Sequence, residues 1–185
     1  MLGLKKGTVQ VVPYHPEWST LFSHERCVLS HCLGNLVSDI QHVGSTAVPG
    51  LAAKPIIDIA VAVTSLAVIP LCRQPLGALG YIDRGDAGTE GGYLFVKEST
   101  PNVRTHHIHV VTQDDPQWNN YLRFRDLLRA DDALRTTYAE LKYALLIRFA
   151  QDRKAYTAAK EEFLHSVFRK MESESVISDA KEGAR

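Results

Sequence analysis

The segment Pro55 to Val63, PIIDIAVAV, constrains the fold of this chain more than any other, because an almost unbroken aliphatic run holds a single carboxylate, Asp58. A β-branched run of this length reads as a central strand buried on both faces. Taking a charge out of water costs several kcal/mol unless it is paired or binds a cation. Asp58 is therefore either half of a structural pair or a metal ligand.

The remaining pattern surrounds that strand with both kinds of element. Val9 to Val12 reads as a short strand, and Pro13 and Pro16 mark a turn into a helix. Trp18, Leu21, Phe22, Glu25, Val28, Leu29 and Cys32 recur at helical spacing, which predicts a core-facing helix ending near Gly34. Ser38 to Val43 turns extended. Pro70 and Pro75 are expected to break the stretch after the Asp58 strand into short helical pieces, closed by Gly80, with Tyr81 to Asp83 beginning another strand. Gly85 to Gly92 holds four of the twelve glycines and reads as a mobile loop. Tyr93 to Lys97 and Thr105 to Val111 alternate like an antiparallel pair. Asp115 followed by Pro116 reads as a helix start. Beyond it, apolar stripes through Tyr121, Phe124 and Leu128, through Leu134, Tyr138, Leu141 and Leu145, and through Tyr156, Ala159, Phe163 and Val167 predict three helices. Met171 to Arg185 is polar and unpatterned, so one domain over residues 1–170 with a disordered tail is expected.

At 185 residues with 45% apolar content the chain can bury one sizeable core. Lys plus Arg and Asp plus Glu both number 21, so no overall field draws in nucleic acid or an anionic membrane surface, and any anion site must be local. No run approaches the length of a membrane span and no apolar stretch follows Lys5 and Lys6, which points to a cytoplasmic protein. Cys27, Cys32 and Cys72 lack CxxC spacing and read as reduced, packed thiols.

Two constellations carry chemistry. In Gly44-Ser45, glycine permits close backbone approach to a phosphate while the amides and the serine hydroxyl donate to it; the same pair also suits a plain tight turn. In His106-His107-Ile108-His109, strand alternation puts His107 and His109 on one face. Those two imidazoles, with Asp58 if the strands adjoin, would form a facial triad suited to a transition metal; the alternative is histidines hydrogen-bonded inside a sheet. Lys54, Lys97 and Arg104 are the candidate anion contacts. Arg125 and Arg129, one helical turn apart, suit either a ligand or salt bridges to Asp126 and Glu140.

The stretch HVGSTAVPGLAAKPIIDI resembles the signature of the GrpB family, and its Gly-Ser followed by an Asp on the next strand is similar to the nucleotidyltransferase superfamily motif. Further matching blocks are Tyr14-His15-Pro16-Glu17-Trp18, Gly80-Tyr81, Thr105 to Val110, Phe124 to Arg129 and Tyr138 to Lys142. The resemblance implies an α/β (α+β) fold, a mixed β-sheet with a nucleotidyltransferase-like core flanked by helices and a helical C-terminal part. It also implies a nucleoside triphosphate and a divalent metal, Mg, Mn or Zn, between Gly44-Ser45 and Asp58. Two departures stand out. Two-metal transfer uses carboxylates at alternate strand positions, and here the position after Asp58 is Ala60. The arginine of the family's glycine-rich loop is replaced near Gly92 and Tyr93. The run HHIHVV also resembles the histidine-triad nucleotide hydrolases, with Val111 in place of a third alternating histidine.

These observations lead to nucleotidyl transfer to an unidentified acceptor, with Asp58, His107 and His109 as catalytic and metal-binding residues and Gly44, Ser45, Lys54, Lys97 and Arg104 holding the nucleotide. The competing expectations are a catalytically silent nucleotide- or metabolite-binding module, which Ala60 favours, and a purely structural role.

Overall fold

A computed structural model describes residues 2–86, 92–149 and 152–182. The elements run β1 (Leu4–Lys5), α1 (Glu17–Leu33), β2 (Asp39–Val43), β3 (Ile57–Val63), α2 (Ile69–Ala78), β4 (Tyr81–Asp86), β5 (Tyr93–Thr100), β6 (Val103–Thr112), α3 (Pro116–Ala130), α4 (Asp132–Arg148) and α5 (Arg153–Glu182). The sheet has the order β2-β3-β6-β5-β4, with β1 on the end of β6. Only β3 and β6 pair in parallel; the other pairings are antiparallel.

β3 divides the molecule. Ile57, Ile59, Val61 and Val63 pack with Trp18, Leu29 and Leu33 of α1 and Cys72 and Leu76 of α2 in the main core. The alternate residues Ala60 and Ala62 join Val43, Val111 and Trp118 under α3. Their small side chains leave room for the Trp118 indole, and Asp58 lies at the open end of that second face. A third cluster, Val48, Leu51, Phe124, Leu128 and Tyr138, ties the segment after β2 to α3 and α4.

Buried charge on the α1 face is paired. Glu25 Oε1 accepts from Lys97 Nζ and from the Tyr81 hydroxyl, both at 2.8 Å. Burial pushes Glu25 toward protonation, but those two bonds outweigh it and hold its carboxyl below the usual range. The polar residue on the α1 stripe is thus the acceptor for a strand lysine and a strand tyrosine.

Several expectations change in detail. The strand expected at Val9 to Val12 is reduced to a single bridge between Val12 and Ala53, and the first strand is instead Leu4–Lys5. Pro70 and Pro75 do not divide α2: Pro70 occupies its first turn and Pro75 lies inside it. The carbonyl that Pro75 leaves unpaired is that of Leu71, a 61% exposed residue where water can replace the lost bond. The third cysteine, Cys72, is buried as expected, whereas Cys27 is exposed. Of the glycine-rich segment, residues 87–91 lie outside the described residues. Where a disordered tail is expected from Met171, the backbone is helical to Glu182, over a stretch without glycine or proline. Asp115 caps α3 as its sequence suggests, accepting from the Gln117 amide at 2.8 Å. Among the described residues no helix is long and apolar enough to cross a membrane.

Burial also holds two histidines neutral, His42, whose ring stacks on Phe22, and His106; each has its pKa pushed down to about 4. The unfolded chain takes up these protons near 6.5, so stability should fall as pH drops from 6.5 toward 4, by up to about 3 kcal/mol per histidine. Denaturant unfolding across that window should show this slope, and His42→Gln should make it shallower.

Candidate metal and anion site

In the parallel pairing of β3 with β6, Asp58 stands opposite His107 and Ala60 opposite His109. Asp58 Oδ1 lies 3.1 Å from His107 Nδ1 and 3.8 Å from His109 Nε2. All three donor atoms fall within 4.8 Å of one another. Burial opposes the Asp58 charge, yet hydrogen bonds and charge from His107 and His109 prevail and keep the carboxyl well below the usual range. Burial lowers the pKa of His107 against the pull of Asp58.

One carboxylate oxygen and two imidazole nitrogens on one sheet face are a donor set for a transition metal, with open positions toward the cavity. Donors bound at roughly 2.1 Å stand about 3 to 3.5 Å apart, which the His107 spacing meets and the His109 spacing nearly meets. One customary feature is missing: a ligating histidine usually donates its other nitrogen to a partner, whereas the buried His107 Nε2 has none among the described residues.

Gly44 fits this arrangement through what it lacks. It adopts φ +68°, and a Cβ at this position would meet Asp58 Oδ2 at 2.7 Å. The glycine therefore lets β2 turn directly over the carboxylate. The turn it opens is anchored from α3: Arg129 donates twice to the Ala47 carbonyl, at 3.0 and 2.8 Å, and Arg125 donates to the His42 carbonyl at 3.0 Å. Both arginines also pair with Asp126, so their expected structural role is met together with a grip on the turn.

Above Asp58 opens a cavity of about 540 Å³, walled by α3, α4 and α5. Gly44, Ser45, Lys54, Asp58, His107 and His109 all line it. The Asp58 side chain retains 32% exposure toward this space. Lys97 and Arg104 do not line it. Lys97 pairs with His106 across the strands and so points to the α1 face, where it meets Glu25. Arg104 is buried where β6 runs between β1 and β5, near enough for its charge to act on His107.

The helices add lysines that the sequence reading leaves outside the site, among them Lys142, whose place on a core-facing helix allows either direction. Lys142, on α4, is 2% exposed, with Nζ 3.2 Å from Ser45 Oγ, bonded also to the Ala52 carbonyl and lying over the Tyr138 ring. Burial, helped by the Lys160 charge, brings its pKa down to about 7. Lys54 and Lys160 both lie over the Tyr156 ring. Tyr138 to Lys142 and Tyr156 to Lys160 are the same four-residue step, a lysine one turn after a buried tyrosine; that repeated pair is the signal by which they could have been found.

Gly44→Ala should destabilise the chain by about 1–3 kcal/mol, from the left-handed backbone and the contact with Asp58. Equilibrium denaturation measures it, and an unchanged midpoint would show that the turn is not held in this conformation.

Comparison with known proteins accords with this geometry. The model of the GrpB protein family matches residues 8–170. The chain is 36% identical to the glutamate-rich protein GrpB of Alkalihalophilus pseudofirmus over 174 residues, 92% of this chain and all of that protein. It is 34% identical to the protein YqkA of Bacillus subtilis, covering 86% of this chain but 46% of that one. A dephospho-CoA kinase of Mycolicibacterium paratuberculosis is 28% identical over 90% of this chain and 47% of its own length. The chain thus spans about half the length of those two relatives. The crystal structure of GrpB from Enterococcus faecalis superposes with a TM-score of 0.73 at 32% identity, covering 86% of this chain and 99% of that one. With the family match running from the first helix to the last and the sheet and helices shared with a solved member, this chain belongs to the GrpB family.

Proposed function

We propose that the chain binds a nucleotide together with a divalent cation in the cavity above β3 and transfers its nucleotidyl group to an acceptor. The observation that carries this reading is the convergence of Asp58, His107 and His109 beside Gly44, Ser45 and Lys54 on one cavity wall. The aromatic lining, including Tyr121, Tyr138 and Tyr156, suits a base, and the lysines suit phosphates. The match to a chain named dephospho-CoA kinase supports placing the domain in nucleotide chemistry.

In this scheme Asp58 would hold the cation with one or both histidines, and a cation there would supply positive charge against the phosphate. The Gly44-Ser45 turn and Lys54 hold the phosphates. An acceptor oxygen forms its bond to the α-phosphorus as the bond to pyrophosphate breaks, and a histidine not engaged by the cation takes the acceptor's proton. Mg²⁺ is the less suited cation, since imidazole donors favour Zn²⁺.

A second reading rests on Ala60. The place where a second strand carboxylate would stand is fully buried against Trp118 in an apolar cluster, so β3 supplies no ligand for a second cation. That favours a module which binds the nucleotide or another metabolite and regulates a partner without turnover.

A thermal-shift screen of metal-stripped protein with the four nucleoside triphosphates and Mg²⁺, Mn²⁺ or Zn²⁺ tests both. A ligand at about 100 times its dissociation constant adds roughly 2.7 kcal/mol. Wild type should gain stability only with nucleotide and cation together, and Asp58→Asn should lose the gain. Release of pyrophosphate then separates the transferase from the silent module, and no shift with any combination sinks the nucleotide site and leaves only a module for another metabolite.

A further inference from the structure

Lys142 takes no part in the scheme above, and its surroundings are those of a reactive amine. None of the ion pairs among the described residues includes it. Its partners are the Ala52 carbonyl, the Ser45 hydroxyl and the face of Tyr138. A lysine buried only to support the fold would be expected opposite a carboxylate. Here the carbonyl fixes Nζ in place, and the hydroxyl beside it belongs to a residue that opens onto the cavity.

We propose that Ser45 and Lys142 form a serine–lysine dyad in which Lys142 Nζ activates Ser45 Oγ as a nucleophile toward the phosphorus of a phosphoester or phosphoanhydride. Nζ donates to Ser45 Oγ at 3.2 Å, and the neutral amine at the same distance is within reach to accept the hydroxyl proton. Phosphorus is favoured over a carbonyl because Lys54 and Lys160 line the same cavity and would face an anionic group. In the step, the Ser45 Oγ–P bond forms as the bond from phosphorus to its leaving oxygen breaks. The Ser45 proton passes to Nζ and from there to the leaving oxygen.

The neutral amine this requires is favoured by position. Lys142 lies over the Tyr138 ring, and the Lys160 charge of α5 acts on it. The other charged or titratable groups lining the cavity are Lys54, Asp58, His107 and His109 of the sheet side, Tyr121 of α3, and Tyr156, Glu161 and His165 of α5. The lysine's pKa, brought down to about 7, places a substantial neutral fraction at neutral pH. The dyad needs neither the cation nor a nucleotide, so its chemistry is testable apart from the proposed transfer reaction, with which it shares Ser45.

Wild-type protein treated with diisopropyl fluorophosphate in the presence of a metal chelator tests it, with peptide mapping of the adduct. Ser45 should be labelled, with fluoride released, at a rate that rises with pH through about 7 and then levels. Lys142→Met should slow labelling by about 100-fold or more, and Lys142→Arg, which keeps the charge but cannot accept a proton, should be equally slow. Absence of an adduct on wild type, an adduct on Tyr138 in place of Ser45, or wild-type rates in Lys142→Arg would each overturn the dyad. The wild-type mapping and pH profile decide the matter even if the variants fail to fold.

Discussion

Asp58 stands on β3 opposite His107 of β6, and the parallel register of those two strands fixes almost everything else about the molecule. With that register, one face of β3 meets α1 and α2 with aliphatic side chains, and the other presents a carboxylate and two alanines. A slip of one residue would turn Asp58 into the main core and the isoleucines toward the cavity. The buried charge and the core therefore enforce the same alignment. The connection between these parallel strands runs through α2 and the β4–β5 hairpin, which is why two of the six strands lie between adjacent partners in sequence.

The two faces treat charge in opposite ways. On the α1 side, Glu25 is satisfied by Lys97 and Tyr81, so the group is closed and structural. On the cavity side, among the described residues, Asp58 retains exposure, the far nitrogen of His107 lacks a protein partner and Lys142 meets only neutral acceptors. Incomplete satisfaction concentrated in one concave region is what a binding site costs in stability, and the paired face shows that this chain can satisfy buried charge where nothing is to be bound.

Much of this was legible in the sequence. The β-branched run around Asp58, the antiparallel β5–β6 pair, the Asp115 cap and the three terminal helices follow from local periodicity, which survives because each element is amphipathic at its own period. The union of Asp58 with His107 and His109 was legible as a possibility, since alternation puts the two histidines on one face, but adjacency of β3 and β6 depends on long-range pairing. Lys97 shows the limit: its position in sequence suits an anion site, and strand parity sends it to the opposite face. Lys142 is undecided in the sequence: its place on a core-facing helix allows either direction, and only the packing of α4 against the turn after β2 buries it. Pro75 was misread because proline's effect on a helix depends on whether water reaches the carbonyl it abandons.

The three bonds from Arg125 and Arg129 to the carbonyls of His42 and Ala47 join the end of β2, and the turn beyond it, to α3. Anything that pushes on the turn from inside the cavity must either carry α3 with it or break charge-assisted hydrogen bonds. α3 in turn packs on α4 and leads into it without a break longer than the capping residue Asp131. The Gly-Ser turn is thereby one end of a stiff lever whose other end is the outer surface of the helical layer, so occupancy of the cavity has a mechanical route to the outside of the protein.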